Sequence, residues 1–153
     1  MFRQLLRTPN DGVLALLRLV LGIIFFAHGA QLVLGWFGGY GFAATMKAFT
    51  GMGIPAPFAA LAILTEFLGG AALIVGFLTR IAALGILITM LVAVVKVHLA
   101  VGFFMNWYGS QKGEGYEYHL LAMAISLALV IRGAGAASVD QALSGAQRYR
   151  RGL

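Results

Sequence analysis

The chain contains no cysteine. That absence excludes disulfide staples, thiolate catalysis, iron–sulfur clusters, covalently attached haem and cysteine-based zinc sites together. It is also short of charge: 10% of its 153 residues are Asp, Glu, Lys or Arg, where a soluble domain carries about 25%. A soluble domain this short has too much surface to cover with so few charges. What it has in quantity is apolar area, with 61% hydrophobic residues and a mean hydropathy of +0.91. That area excludes intrinsic disorder. The 21 glycines follow no three-residue period, so a collagen-like chain is excluded as well. What remains is a small integral membrane protein, one domain over residues 1–153.

A membrane-spanning helix needs about 20 mostly apolar residues. Spans are expected at 13–37, 58–78, 81–101 and 116–132, giving an all-α, four-helix bundle. The fourth is the weakest, because the apolar run from Leu120 to Ile131 is short. It crosses only with Tyr116, Tyr118 and His119 at the interface, where such side chains sit well. The basic N-terminus resembles a signal peptide, but the apolar run after it is long and no small-residue cleavage site follows, so the first helix is expected to be retained. Pro57 suits a first helical turn, and Gly76 to Arg80 leaves room only for a tight hairpin. Phe42, Met46 and Phe49 share helical spacing, fitting a short interfacial helix or a hydrophobic loop over the bundle. The stretch from Ser138 to Arg151 fits a short amphipathic helix.

The net charge is +6. Its distribution argues for topology rather than nucleic-acid binding. Arg3, Arg7, Arg80, Arg132, Arg148, Arg150 and Arg151 fall on one side of the expected spans, Lys47 and Lys112 on the other. The positive-inside rule then places both termini in the cytoplasm. Trp36, Tyr40, Trp107, Tyr108, Tyr116 and Tyr118 form an aromatic belt at the outer interface.

Ionisable residues inside spans are costly and tend to face the bundle interior. His28 lies in the outer half of span one, Glu66 in the outer half of span two, Lys96 and His98 near the outer end of span three, and Glu117 and His119 at the outer mouth of span four. Each helix thus delivers a group to one outer layer. Arg18 is the exception and is expected to snorkel to the inner interface. Residues two apart on an α-helix differ by about 200°, so Lys96 and His98 cannot both face the axis, nor Glu117 and His119. His98 and Glu117 are favoured inward, with Lys96 toward a neighbouring helix or subunit. Gln31, one turn above His28, extends the polar face. A bland reading stands beside this one: Glu66 paired with His28 or Lys96 simply locks the bundle. Gly22, Gly29, Gly69, Gly70 and Gly85 read first as close helix packing, and Gly69 with Gly70 second as room for a flat ring.

Taken in order, these residues resemble the DoxX family of small bacterial membrane proteins. The resemblance rests on Arg18 and Gly22 followed by Phe26, His28 and Gly29; on Phe49, Gly53, Pro55 and Pro57; on Glu66, Gly69 and Gly70; on Gly76, Thr79 and Arg80; on His98, Gly102, Phe103 and Phe104; on Glu117 and Tyr118; and on Gly133, Gly135, Ser138 and Asp140. It implies a four-helix, multi-pass protein of the bacterial inner membrane. Members are commonly labelled oxidoreductases, and a related subunit serves a thiosulfate:quinone oxidoreductase. The patterned positions Arg18, His28, Glu66, Arg80, His98 and Glu117 carry over; catalytic roles do not.

Three functions compete. In the first, a membrane redox subunit binds a quinone-like ligand through His28, Gln31, Glu66, Lys96, His98, Glu117 and His119, with Glu66, His28 and His98 as the reacting groups. Quinone reduction takes up two protons, which suits acid–base groups titrating near neutrality. Without cysteine or a cofactor motif, electrons come from a partner redox protein. Haem between His28 and His98, or a His/Glu metal site, ranks behind a quinone. The second is a small proton-coupled transporter, for which four spans require a homo-oligomer. The third is a non-catalytic scaffold subunit. A reporter active only in the cytoplasm, fused after Leu153, is expected to give signal. A well-expressed but silent fusion would reverse the topology.

Overall fold

The computed structural model describes residues 2–149, and the side chains of residues 4–144. Among the described residues every regular element is helical: α1 (Phe2–Leu6), α2 (Gly12–Leu34), α3 (Gly41–Gly51), α4 (Ala56–Val75), α5 (Thr79–His98), α6 (Glu117–Arg132) and α7 (Val139–Tyr149). Three of them, α2, α4 and α5, are long and apolar enough to cross a membrane. They match the first three expected spans to within a few residues at each end. The fourth expected span is α6, whose 16 residues give about 24 Å of helix against a hydrocarbon core of about 30 Å. Phe42, Met46 and Phe49 lie on a helix, α3, rather than in a loop, and the expected C-terminal amphipathic helix is α7; Arg150 and Arg151 lie outside the described residues.

Helix α2 packs on α4 and α6, and α5 packs on α6. The core between them holds Leu21, Phe25, Leu73, Ile86, Met90 and Leu129. Glycines let α2 and α4 touch backbone to backbone. A Cβ on Gly29 would overlap the backbone of Phe67, and one on Gly70 the backbone of Phe26; one on Gly22 would meet Ile74 N at 2.8 Å. These three glycines bear out the close-packing reading.

At one end of the bundle, hereafter the arginine end, the chain turns back between α4 and α5 in three residues. Gly76 adopts a left-handed conformation (φ 71°). Its N–H donates to Leu73 O at 3.1 Å and Phe77 N–H to Ala72 O at 2.9 Å, the pair of bonds that closes a Schellman motif. Arg18 is 1% exposed. The expected snorkelling does not occur, because carbonyls at the end of α4 and in the segment after α6 surround the guanidinium. It donates to Leu73 O (2.6 Å), Ile74 O (2.8 Å), Ala134 O (3.0 Å) and Ala137 O (3.1 Å). Arg80 treats α6 likewise, donating to Val130 O and to Ile131 O at 2.7 Å. The buried carboxylate of Asp140, on α7, accepts from Leu78 N (2.8 Å) and Thr79 N (2.9 Å) and so caps α5 from across the turn.

An unsatisfied buried carbonyl costs about 1–3 kcal/mol, and Arg18 serves several. Arg18→Met is therefore expected to remove about 3 kcal/mol or more of stability. Arg18→Lys should recover less than half of it, since a point donor cannot span the set. Thermal unfolding in detergent checks this; an unchanged midpoint in Arg18→Met overturns it.

Candidate functional site

At the opposite end, the histidine end, α4 and α5 draw apart. They touch where a Cβ on Gly85 would lie 2.8 Å from Thr65 Cγ2. Beyond that point the first half of α4 and the last turn of α5 make little contact. Between them opens a cleft of about 1170 Å³. Phe49 and Met52 at the end of α3, with Met105 and Glu114 from the loop before α6, line its upper end.

The local backbone marks this region. Thr65–Gly69 in α4 and Val94–His98 in α5 are single π-helical turns. A π turn inserts one extra residue, loosens the hydrogen-bond ladder and is frequent at functional sites. One turn carries Glu66 and the other carries Lys96 and His98.

His28, Glu66, Lys96, His98 and His119 all line the cleft. Four helices therefore do bring ionisable groups to one space. Glu66 is 9% exposed, and no described residue hydrogen-bonds its carboxyl group. His119 is 6% exposed, and its ring lies 4.0 Å from that of His98, centroid to centroid, at 41°. His98 Nδ1 is 2.8 Å from Glu114 O. A carbonyl only accepts, so Nδ1 carries the proton, and in the neutral ring Nε2 presents a lone pair to the cleft.

Three expectations are corrected. Lys96 and His98 both line the cleft, because the site is a broad groove between helices rather than an axial pore. Glu117 turns away and His119 turns in. The start of α6 is pinned to the loop by Tyr116 N–H to Gly102 O (3.1 Å) and Glu117 N–H to Phe103 O (3.0 Å), and Glu117 Oε1 accepts from Trp107 Nε1 at 3.2 Å. Gln31 does not extend the polar face either: its side chain donates to Phe37 O at 3.2 Å and closes the end of α2. Trp36, Tyr40, Trp107 and Tyr108 are exposed at the histidine end as the aromatic belt requires. Tyr118 is not among them.

Tyr118 is the residue that sequence reasoning missed. It lines the cleft, its ring lies 6.5 Å from His28 and 5.6 Å from His119, and its hydroxyl is buried without a hydrogen-bond partner. Neighbours on an α-helix differ by about 100°, so an inward His119 brings Tyr118 to the same face and sends Glu117 away. Among the described residues no three His, Asp or Glu side chains are grouped so that they could hold a metal ion.

A family model for DoxX matches residues 13–99. The chain belongs to the DoxX family. In this DoxX chain the matched stretch covers α2 to α5 and stops before α6 with Tyr118 and His119. The chain is 32% identical over 114 residues to a Bacillus subtilis (strain 168) protein named "Putative oxidoreductase CatD", covering 74% of this chain and 75% of that protein. It is 33% identical over 127 residues to the "Inner membrane protein YqjF" of Escherichia coli (strain K12), covering 83% and 88%. No solved structure matches.

Rings in contact that serve one site have coupled mutational effects of about 0.5–3 kcal/mol, whereas distant sites add. His98→Ala and His119→Ala are expected to couple within that range in a double-mutant cycle of thermal stability. Strict additivity shows that the ring pair is not a unit.

Proposed function

We propose that residues 1–153 form one multi-pass domain of the inner membrane that crosses it four times, α6 being the fourth crossing, with the arginine end cytoplasmic. In this reading the protein is a redox subunit that binds a quinone-like ring at the histidine end of the cleft. The observation that carries it is a buried carboxyl group, Glu66, and a buried Tyr118 hydroxyl, both without a hydrogen-bond partner among the described residues and both facing a space shared with His28, His98 and His119. Buried polar groups are almost always satisfied. A cluster of them around an open volume fits an exchangeable ligand with acceptor oxygens.

A bound quinone supplies two-electron redox chemistry and takes up two protons when it is reduced. His28 and His98 face the cleft; His28 donates to the quinone oxygens, and His98, whose Nδ1–H is held by Glu114 O, donates only when Nε2 is also protonated. Glu66 holds and passes a proton, and Tyr118 supplies a further O–H on the same face. Apolar walls from Phe58, Leu61 and Ile88 keep the ring dry, which strengthens each of those hydrogen bonds. Electrons come from a partner, since cysteine and flavin or nicotinamide motifs are lacking. The relative named an oxidoreductase and the relative named an inner membrane protein support this assignment.

The organic extract of the purified protein is expected to contain a quinone, and ring-only quinones are expected to bind the protein in nanodiscs. Glu66→Gln should keep the thermal midpoint and weaken ring binding by about tenfold, the equivalent of one charged hydrogen bond of about 1.5 kcal/mol. An empty extract together with absent ring binding overturns the reading, as does a Soret band in the absorption spectrum.

A further inference from the structure

We infer that the cleft admits its ligand sideways from the bilayer, between α4 and α5, and holds it as an amphiphile, with the ring at the histidine end and a long apolar tail running toward the arginine end. This rests on the ring-binding reading above and adds the class of ligand and its route.

Polarity in the cleft is confined to one end. Every ionisable lining residue lies at or above the level of Glu66, while Leu68, Gly69, Ala72, Phe77, Ile81 and Ala82 line the rest. From Glu66 to the end of α4 at Val75 is nine helical steps, about 14 Å of groove at 1.5 Å per residue. A ring alone leaves that length empty. The volume of about 1170 Å³ also exceeds the roughly 300–1,000 Å³ of pockets for compact ligands.

The floor of the groove is made of small residues. Gly69 and Ala72 on α4 and Ala82 and Gly85 on α5 line this slot with little side-chain bulk. Larger apolar side chains flank it: Leu68 is 57% exposed and Ile81 50%. Along the membrane-facing sides of two spanning helices, that exposure is to lipid tails. At the upper end, in contrast, α3 and the loop before α6 add their side chains to the lining. The open side is therefore the lipid side. An amphiphile already dissolved in the bilayer reaches it without crossing water, and Lys96 and His98 stand where its polar head arrives.

Ala72→Phe and Ala82→Phe fill the slot from opposite walls, well below the ionisable cluster. Protein in phosphatidylcholine nanodiscs is titrated with ring-only benzoquinone and naphthoquinone and with their polyprenyl counterparts. Wild type is expected to prefer the polyprenyl forms, and each variant should lower the ratio of polyprenyl to ring-only affinity by about tenfold. An unchanged ratio in both variants overturns the tail groove and leaves the ring site standing. Absence of any quinone binding to wild type overturns both. A polyprenol without a ring that binds as tightly as the polyprenylquinone shows adventitious filling of the slot and overturns the inference.

Discussion

A guanidinium with no route to water governs this bundle. A helix leaves its last carbonyls without intrahelical donors, and in or near hydrocarbon no water makes up the deficit. Helix α4 stops at Val75 because Gly76 reverses the chain; there Leu73 O keeps one backbone donor, Gly76 N–H, and Ile74 O has none among the described residues. Arg18 supplies their donors from α2 and, with the same planar fork, those for Ala134 and Ala137. Gly76 must lack a side chain for two reasons: its φ is positive, and a Cβ would sit 2.7 Å from the Arg18 guanidinium. Arg80 repeats the device on α6. Two arginines and the Asp140 cap thus fasten the ends of α2, α4, α5 and α6 to one another, which fixes the axial register of the helices.

That register determines where the polar groups meet. With the arginine end fastened, the contacts of Gly22, Gly29 and Gly70 hold α2 against α4 along most of their length. Gly29 touches the peptide that joins Glu66 to Phe67, and His28 precedes Gly29, so the two side chains share a level by backbone contact rather than by attraction for each other. Helix α5 is held to α6 and to the turn, but not to the upper half of α4. The cleft is the consequence: a bundle clamped at one end and along two seams opens along the third.

The sequence was informative about whatever depends on composition along the chain. Hydropathy located the three long apolar helices, and the short turn and helix α3 followed from glycine, proline and helical spacing. It was silent where the outcome depends on which of two faces wins. Glu117 and His119 are equally placed at the mouth of α6, and only the loop contacts that pin Tyr116 and Glu117 decide between them. Arg18 reads as a snorkelling side chain because its partners, at Leu73 and Ala134, lie 55 and 116 residues away. Lys96 and His98 were separated by a helical wheel that assumes a narrow axial site, and the breadth of the groove that both line has no sequence signature.

The polar cluster also bears on the bland reading of Glu66. A lock that holds helices together pairs its members, since leaving a buried charge unpaired costs about 3–5 kcal/mol. The arginine end obeys that logic: Arg18, Arg80 and Asp140 each find their acceptors or donors. The histidine end does not. Glu66 has no bond to His28 or Lys96, the Tyr118 hydroxyl has none, and the Thr65 and Gly85 contact keeps α4 and α5 from closing on them. Such an arrangement costs stability where it stands, and the fastened end offsets that cost. Arg18 and Asp140 are held by hydrogen bonds at one end, whereas Glu66 and the Tyr118 hydroxyl face an open volume at the other, and that difference between the ends is what supports the ligand reading over the lock.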